Sequence, residues 1–305
     1  MMRKLRISAI SFLNTAPLMW DFEQGIPPVV DATKPGANAF PQGGKSHVSN
    51  TPLAGDFEVE YTIPSHCADL LRAGEADIGI IPAATYASIP DLVIVPDVAI
   101  AATGPVRSIL LISKVPRERI RTLAADTSSR TSVALTRVLF HHWCGQAPEF
   151  VPAEPQLEAM LARCDAALLI GDPALRVDRS RHQTWDLAQE WQQWTGRPFV
   201  FAFWAVRRAA LSETRPGLDV AAVFQNSRDH GVEPKHISAI AQNWSSRIGV
   251  SPAEICNYLT RHIYFWLDDE CRAGLELFFR YAAECGAIPP PPALRFIPTL
   301  NNPGR

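Results

Sequence analysis

Twice in succession the chain sets an apolar run, a helix-period stretch and a second apolar run in the order that a parallel sheet accommodates. Leu5-Arg6-Ile7-Ser8-Ala9-Ile10 predicts a first strand, Phe57 to Ile63 alternates apolar and polar as a second, and Ile78 to Ile81 is a short buried third. Between the last two, Ser65 is the expected N-cap, Leu70 and Leu71 face a core, and Gly74 ends the helix in the left-handed conformation. A β-α-β unit of this length needs a crossover, hence a parallel sheet.

A second series starts after Ala101. Ser108 to Ile112 and Arg121 to Ala125 read as strands, and a helix follows with Ala134, Leu135, Val138, Leu139 and His142 on one face. Phe150-Val151 is a strand, Gln156 to Ala162 a helix, and Ala166-Ala167-Leu168-Leu169-Ile170 a fully buried strand ending at Gly171-Asp172-Pro173. Phe199 to Val206 is the last strong strand signal, and helices follow it. Ser251-Pro252-Ala253-Glu254 is a capping box ahead of Ile255, Leu259 and Ile263, and a stripe of Leu275, Phe278, Phe279 and Ala282 runs to Gly286. Pro289 to Pro292 stops that helix, and the tail is expected to be extended and solvated.

This order predicts an α/β protein of two lobes, residues 1–98 with 207–305 as one and 99–206 as the other. They are joined by crossings near Ala99 to Val106 and Phe203 to Arg207. Ile26 to Gly55, rich in Pro, Gly, Asn and Ser and without periodicity, reads as an insertion loop.

Composition narrows the function classes. With 305 residues, 47% of them hydrophobic, the chain can bury a sizeable core. A formal charge of -2 supplies no basic field for nucleic acid or an anionic membrane surface, so an anionic partner needs a local site. No run approaches the roughly 18 apolar residues of a membrane span. Ser8, Ser11 and Asn14 interrupt the apolar run behind Met1 to Arg6, which argues against a secretory signal. The six cysteines include no C-x-x-C pair and read as reduced and structural, so a cytoplasmic setting is expected. Nothing fixes an oligomeric state.

The chemistry-bearing candidates cluster after strands. In open α/β lobes ligands sit beyond the carboxyl ends of strands, where helix N-termini offer free N–H groups to negative charge. Thr127-Ser128-Ser129-Arg130-Thr131-Ser132 lies at such a place, with hydroxyls and a guanidinium for a carboxylate; a plain helix cap is the competing reading. Ser11, Asn14 and Thr15 hold the corresponding place after the first strand. There Asn14 is balanced between orienting a substrate hydroxyl and capping a helix before Pro17. Thr103-Gly104-Pro105-Val106-Arg107-Ser108 falls at the presumed hinge, where Gly104 permits close approach or merely makes a turn. Asp172 before Pro173 reads first as an N-cap. The aromatics from Trp185 to Trp204 read mostly as core, with a cleft wall as the alternative. No metal-ligand spacing, P-loop, G-x-G-x-x-G or G-x-S-x-G is present, so metal, nucleotide and acyl-serine chemistry are disfavoured.

Taken together, Ser11 to Leu18, Ala76 to Pro82 with Tyr86, Gly104-Pro105-Val106 with Ser108, Asp126 to Ser132, Leu168 to Asp172, and Thr195 to Ala202 with Trp204 resemble a known family. It is that of the menaquinone biosynthetic enzymes that dehydrate chorismate in the futalosine route. The resemblance implies a two-lobed periplasmic-binding-protein-like (type II) fold with two hinge-crossing strands. It also implies no cofactor, a small dicarboxylate substrate (chorismate), and loss of water to give 3-[(1-carboxyvinyl)oxy]benzoate. Asn14 would be the catalytic residue, with Ser11, Thr15, Gly104, Ser108, Ser128, Ser129, Arg130, Thr131, Ser132 and Asp172 around the substrate. Ala83 and Ala84 depart from the family, which more often shows a serine after the proline. The enolpyruvyl carboxylate of the substrate is the expected base, since no Asp, Glu or His in the matched motifs stands out. Two other readings stay open: the sister dihydroxynaphthoate synthase of the same fold, and a solute-binding protein that only captures a carboxylate.

Overall fold

Every residue of the first strand except Arg6 is buried, which places that strand inside a sheet covered on both faces. The computed structural model describes residues 3–23, 56–126, 128–214 and 217–298; the stretch read as an insertion loop, Ile26 to Gly55, lies outside them. The strands are β1 (Leu5–Ile10), β2 (Phe57–Thr62), β3 (Ile78–Pro82), β4 (Leu92–Ala102), β5 (Ile109–Ser113), β6 (Thr122–Asp126), β7 (Glu149–Ala153), β8 (Ala166–Ile170), β9 (Gln183–Asp186) and β10 (Phe199–Arg207). The helices are α1 (Trp20–Glu23), α2 (Pro64–Ala73), α3 (Arg130–Cys144), α4 (Leu157–Arg163), α5 (Gly171–Leu175), α6 (Leu187–Thr195), α7 (Arg208–Leu211), α8 (Val220–Gly231), α9 (Pro234–Ile248), α10 (Pro252–Arg261) and α11 (Asp269–Glu284).

They form two five-stranded sheets, ordered β2-β1-β3-β10-β4 and β7-β6-β8-β5-β9. β1 runs parallel to β2 and β3, and β6 parallel to β7 and β8, as the two β-α-β series require. β10 is antiparallel to both β3 and β4, and β5 to both β8 and β9. The chain passes from the first sheet to the second between Ala102 and Ile109 and returns between Thr195 and Phe199. Phe203 to Arg207, expected as a crossing, is instead sheet along its length, paired with β3 and β4.

Two strands escape the sequence pattern for physical reasons. β4 carries Pro96 and Asp97 at its middle, where the register with β10 shifts and Asp97 takes φ 61°. Proline is tolerated there because β4 is an edge strand. The tail expected in solvent covers that edge: Ile94 N–H donates to the Arg295 carbonyl (2.7 Å) and Ile297 N–H to the Ile94 carbonyl (2.9 Å). β9 is a short edge strand with only Asp186 fully buried, too brief for alternation to register.

Local chemistry sets the helix ends. Gly74 terminates α2 at φ 75°, but the N-cap is Ile63 with Pro64 at the first helical position, so Ser65 lies inside the helix. Proline's fixed φ and missing N–H suit that position better than a serine cap one residue later. The α10 capping box forms, with Ser251 and Glu254 exchanging bonds. Leu275, Phe278, Phe279 and Ala282 of α11 are buried, each large side chain contributing about 1.5–3 kcal/mol. His142, expected on the buried face of α3, is exposed and stacks on Trp194 at 3.9 Å.

Candidate active site

The carboxyl ends of β1 and β3 in one sheet and of β6 and β8 in the other meet at a cleft partly open to solvent. Ile10, Phe12, Asn14, Pro64 and Pro82 line it from the first sheet, and Ser128 to Ser132, Ile170 and Gly171 from the second, with Ile100, Ile109, Phe201 and Ala202 between. The cleft wall is therefore largely apolar and aromatic, with its polar groups gathered at Asn14 and at the start of α3.

Asn14 sits in a 3-10 turn, Leu13–Met19, whose N-cap is Phe12 and whose first turn has no capping side chain. Its amide is thus not spent on capping. Its oxygen accepts from Thr15 Oγ1 at 3.5 Å, and beside it the Tyr258 hydroxyl donates to Ser108 Oγ at 2.8 Å. Burial pushes the Tyr258 phenol up, more than its bonds with Ser108 and Asn14 pull it down, so it stays protonated as a donor. The Tyr258–Ser108 bond lies beside Asn14.

At the other wall, Ser129 is the N-cap residue of α3, and its side chain makes no capping bond. The first turn of α3 lines the cleft, and the first N–H groups of a helix have no intrahelical partner. Ser128 turns the other way, its N–H and hydroxyl both bonding Asp126 Oδ1 at 2.9 and 2.7 Å. Burial raises the Asp126 carboxyl, and those two bonds oppose the rise. Thr131 Oγ1 accepts from the Ala84 N–H at 3.2 Å, so Ala84 contributes its backbone. Arg130 lines the cleft, yet its guanidinium bonds Asp69 of α2.

The remaining candidates are scattered around this centre. Ser11 and Thr15 face a smaller adjoining cavity, not the main cleft. Asp172 is not the expected N-cap: α5 starts at Gly171 after Ile170, and the Asp172 carboxylate accepts from Leu13 N–H across the sheets at 3.1 Å. Burial pushes that carboxyl up to about 6 against the pull of the Leu13 bond and Arg247. Gly104 lies outside the cleft lining with open space where a Cβ would stand, so its expected close approach is not found. The hinge segment is instead fixed by Asp186, which accepts from Val106 and Arg107 N–H at 3.1 and 2.6 Å. Of the aromatic cluster only Phe201 reaches the cleft; Trp191, Phe199 and Phe278 pack edge to face in the core.

Tyr258 and Arg247 were not read from the sequence as site residues. Tyr258 carried a usable signal, since a tyrosine in the buried stripe Ile255-Tyr258-Leu259 must find a hydroxyl partner. Arg247, one of several exposed-looking cations on α9, carried none.

Comparison with known proteins agrees with this geometry. Residues 5–284 match the model of a family described as menaquinone biosynthesis. A chorismate dehydratase of Thermus thermophilus is 30% identical over 240 residues, 73% of this chain and 85% of that protein. Among solved structures, a protein from Archaeoglobus fulgidus superposes with a TM-score of 0.67 at 15% identity, covering 93% of this chain and 98% of that one. The alkanesulfonate-binding protein of Xanthomonas axonopodis superposes with a TM-score of 0.61 at 15% identity, covering 94% of each chain. These two establish the periplasmic-binding-protein-like fold, and the family match across both sheets establishes the rest: the chain belongs to the menaquinone biosynthesis family.

Proposed function

We propose that this protein is a chorismate dehydratase, a hydro-lyase converting chorismate to 3-[(1-carboxyvinyl)oxy]benzoate in menaquinone biosynthesis. The observation that carries the reading is that Asn14 and the uncapped start of α3 line one apolar cleft, the setting of a small cyclic ligand with few polar anchors. The two sheets act as lobes that hold the substrate between them. The substrate needs little from the protein. The proton on the ring carbon bearing the enolpyruvyl ether is vinylogous to the ring carboxylate, so its removal gives a delocalised carbanion. Expulsion of the neighbouring hydroxyl then makes the ring aromatic, and proton and hydroxyl leave together as water.

Positioning and electrostatics therefore supply most of the catalysis. The α3 N-terminus, with Ser129, Thr131 and Ser132, takes one carboxylate. Asn14, beside Tyr258, donates to the departing hydroxyl or to the side chain, and the substrate's enolpyruvyl carboxylate takes the proton. Six free thiols among the described residues suit a reducing cytoplasm. Incubation with chorismate, followed by ultraviolet absorbance and mass, tests the assignment: an aromatic product 18 mass units lighter (one water lost, by the balance above) is expected. Unchanged chorismate with a thermal shift would instead mark a binding protein.

A further inference from the structure

Beside the main cleft, sharing its walls at Ile10 and Phe12, lies a second, smaller cavity whose polar lining is Ser11, Thr15, Glu23, Tyr61 and Arg247. Two of its donors are buried without a partner: Arg247 Nη1 and the Tyr61 hydroxyl. The other Arg247 terminal nitrogen donates to Ser11 Oγ at 2.6 Å, and the guanidinium lies 4.1 Å over the Trp244 ring, which fixes its plane. Native structures rarely leave one buried donor unpaired, and two such donors on residues that line one cavity point to an acceptor there.

We propose that this cavity is a carboxylate subsite, in which Arg247, the Tyr61 hydroxyl and Ser11 hold the substrate carboxylate that the α3 N-terminus does not. The inference rests on the dicarboxylate reading above and assigns its second charge. An arginine with one face on an indole and one nitrogen tied to a serine keeps its remaining donors in a fixed fork, the geometry a carboxylate matches. The nearby acids leave that fork free. Burial pushes the Glu23 carboxyl up to about 8, only partly offset by Arg247, which weakens its hold on the guanidinium. Asp172 already accepts from Leu13 N–H. Burial also lowers the Arg247 guanidinium against the pull of Asp172 and Glu23, a cost that a bound anion removes.

Binding of two ligands to the full chain tests the subsite: 3-[(1-carboxyvinyl)oxy]benzoate, with two carboxylates, and 3-hydroxybenzoate, with one. Wild type should prefer the first strongly. Arg247→Met should weaken it by about 30-fold or more, the loss of a charge-assisted pair, while changing 3-hydroxybenzoate by less than about threefold. Tyr61→Phe, which removes one oxygen and little packing, should weaken the dicarboxylate alone by about fivefold. Equal weakening of both ligands, or dicarboxylate affinity unchanged in both variants, overturns the subsite. So does a wild type that binds the two ligands equally. Turnover of chorismate is scored separately: a protein that discriminates the ligands but leaves chorismate intact keeps the subsite and loses the dehydratase reading.

Discussion

Arg130 Nη2 stands 2.9 and 3.0 Å from the two carboxylate oxygens of Asp69, tying the first turn of α3 to the middle of α2. Those helices flank different sheets, so the pair spans the cleft mouth. Both side chains are more than a third exposed, and a bridge of this kind is worth less than about 1 kcal/mol to stability. Its value lies in holding the sheets together. Arg130→Ala and Asp69→Ala should therefore behave alike, each raising KM about two- to fivefold at nearly unchanged unfolding free energy. If Arg130 held the substrate directly, its loss would raise KM tenfold or more while Asp69→Ala would free the guanidinium and lower KM. Steady-state kinetics of the two variants separates these outcomes.

Asp77 anchors the other end of the first sheet. Its buried carboxylate accepts from Arg3 Nη1 (2.5 Å) and Nη2 (3.0 Å), from Arg6 N–H (2.9 Å) and from the Arg6 side chain (3.2 Å). Burial alone would raise this carboxyl, but the bonds from Arg3 and Arg6 outweigh it and hold it down to about 2. A carboxyl lowered on folding stabilises the native state above its unfolded value and loses that contribution as pH falls towards its folded one. Asp77→Asn should cost about 1–2 kcal/mol at pH 7, a range reduced because the arginines are half exposed. The gap from wild type should shrink between pH 4 and pH 2, the window set by the ordinary and lowered values (about 4 for a free Asp). Denaturant titrations across that range measure it, and a gap independent of pH would remove the charge from the explanation.

Gly231 explains how α8 reaches the turn that carries Asn14. A Cβ on Gly231 would stand 1.8 Å from the Pro17 carbonyl oxygen, a contact with backbone and not with a movable side chain. Gly231→Ala must displace either α8 or the Leu13–Met19 turn, at a cost at or above about 3 kcal/mol. Where the variant folds, kcat should fall with it, since the displaced turn holds Asn14. Gly249→Ala is the control: Gly249 has open space around it and pays only for its φ of 68°. Equal destabilisation of the two would show that close packing at Gly231 is not the cause.

The parallel strands and amphipathic helices were legible because burial imposes a period on the sequence: Ala166–Ile170, read as a buried strand, is β8 with the same bounds. β4 was hidden because its bulge at Pro96-Asp97 breaks the period, and its partner along the outer edge comes from Arg295–Ile297, some two hundred residues away. The site divides the same way. Asn14 and Ser129 to Ser132 announce themselves as polar groups just after strands, where topology puts ligands. Arg247 and Tyr258 enter from α9 and α10, and only their tertiary neighbours, Trp244 with Ser11 and Ser108 with Asn14, distinguish them from surface or core residues. Asp172 misled because Asp-Pro is a common helix opening, whereas here Gly171 at φ 63° starts the helix and swings the carboxylate toward Leu13.

Asn14 and Tyr258 are the pair on which the proposed chemistry turns. Asn14→Asp preserves size but replaces an amide donor with negative charge facing an anionic substrate, so kcat should drop about a hundredfold or more, by analogy with losing one oxyanion donor. The melting temperature should stay near wild type, because Phe12 and not Asn14 occupies the N-cap of the turn. Tyr258→Phe leaves the amide in place but removes the neighbouring hydroxyl that bonds Ser108. As a positioning residue Tyr258 should affect kcat by about tenfold with KM little changed, the signature of an interaction felt mainly in the transition state. The two side chains are neighbours, so their effects should not add: the double variant should fall close to Asn14→Asp alone. Additive losses would mean that Tyr258 acts on the substrate by a route independent of Asn14. A near-normal kcat in Asn14→Asp would remove Asn14 from the reaction altogether.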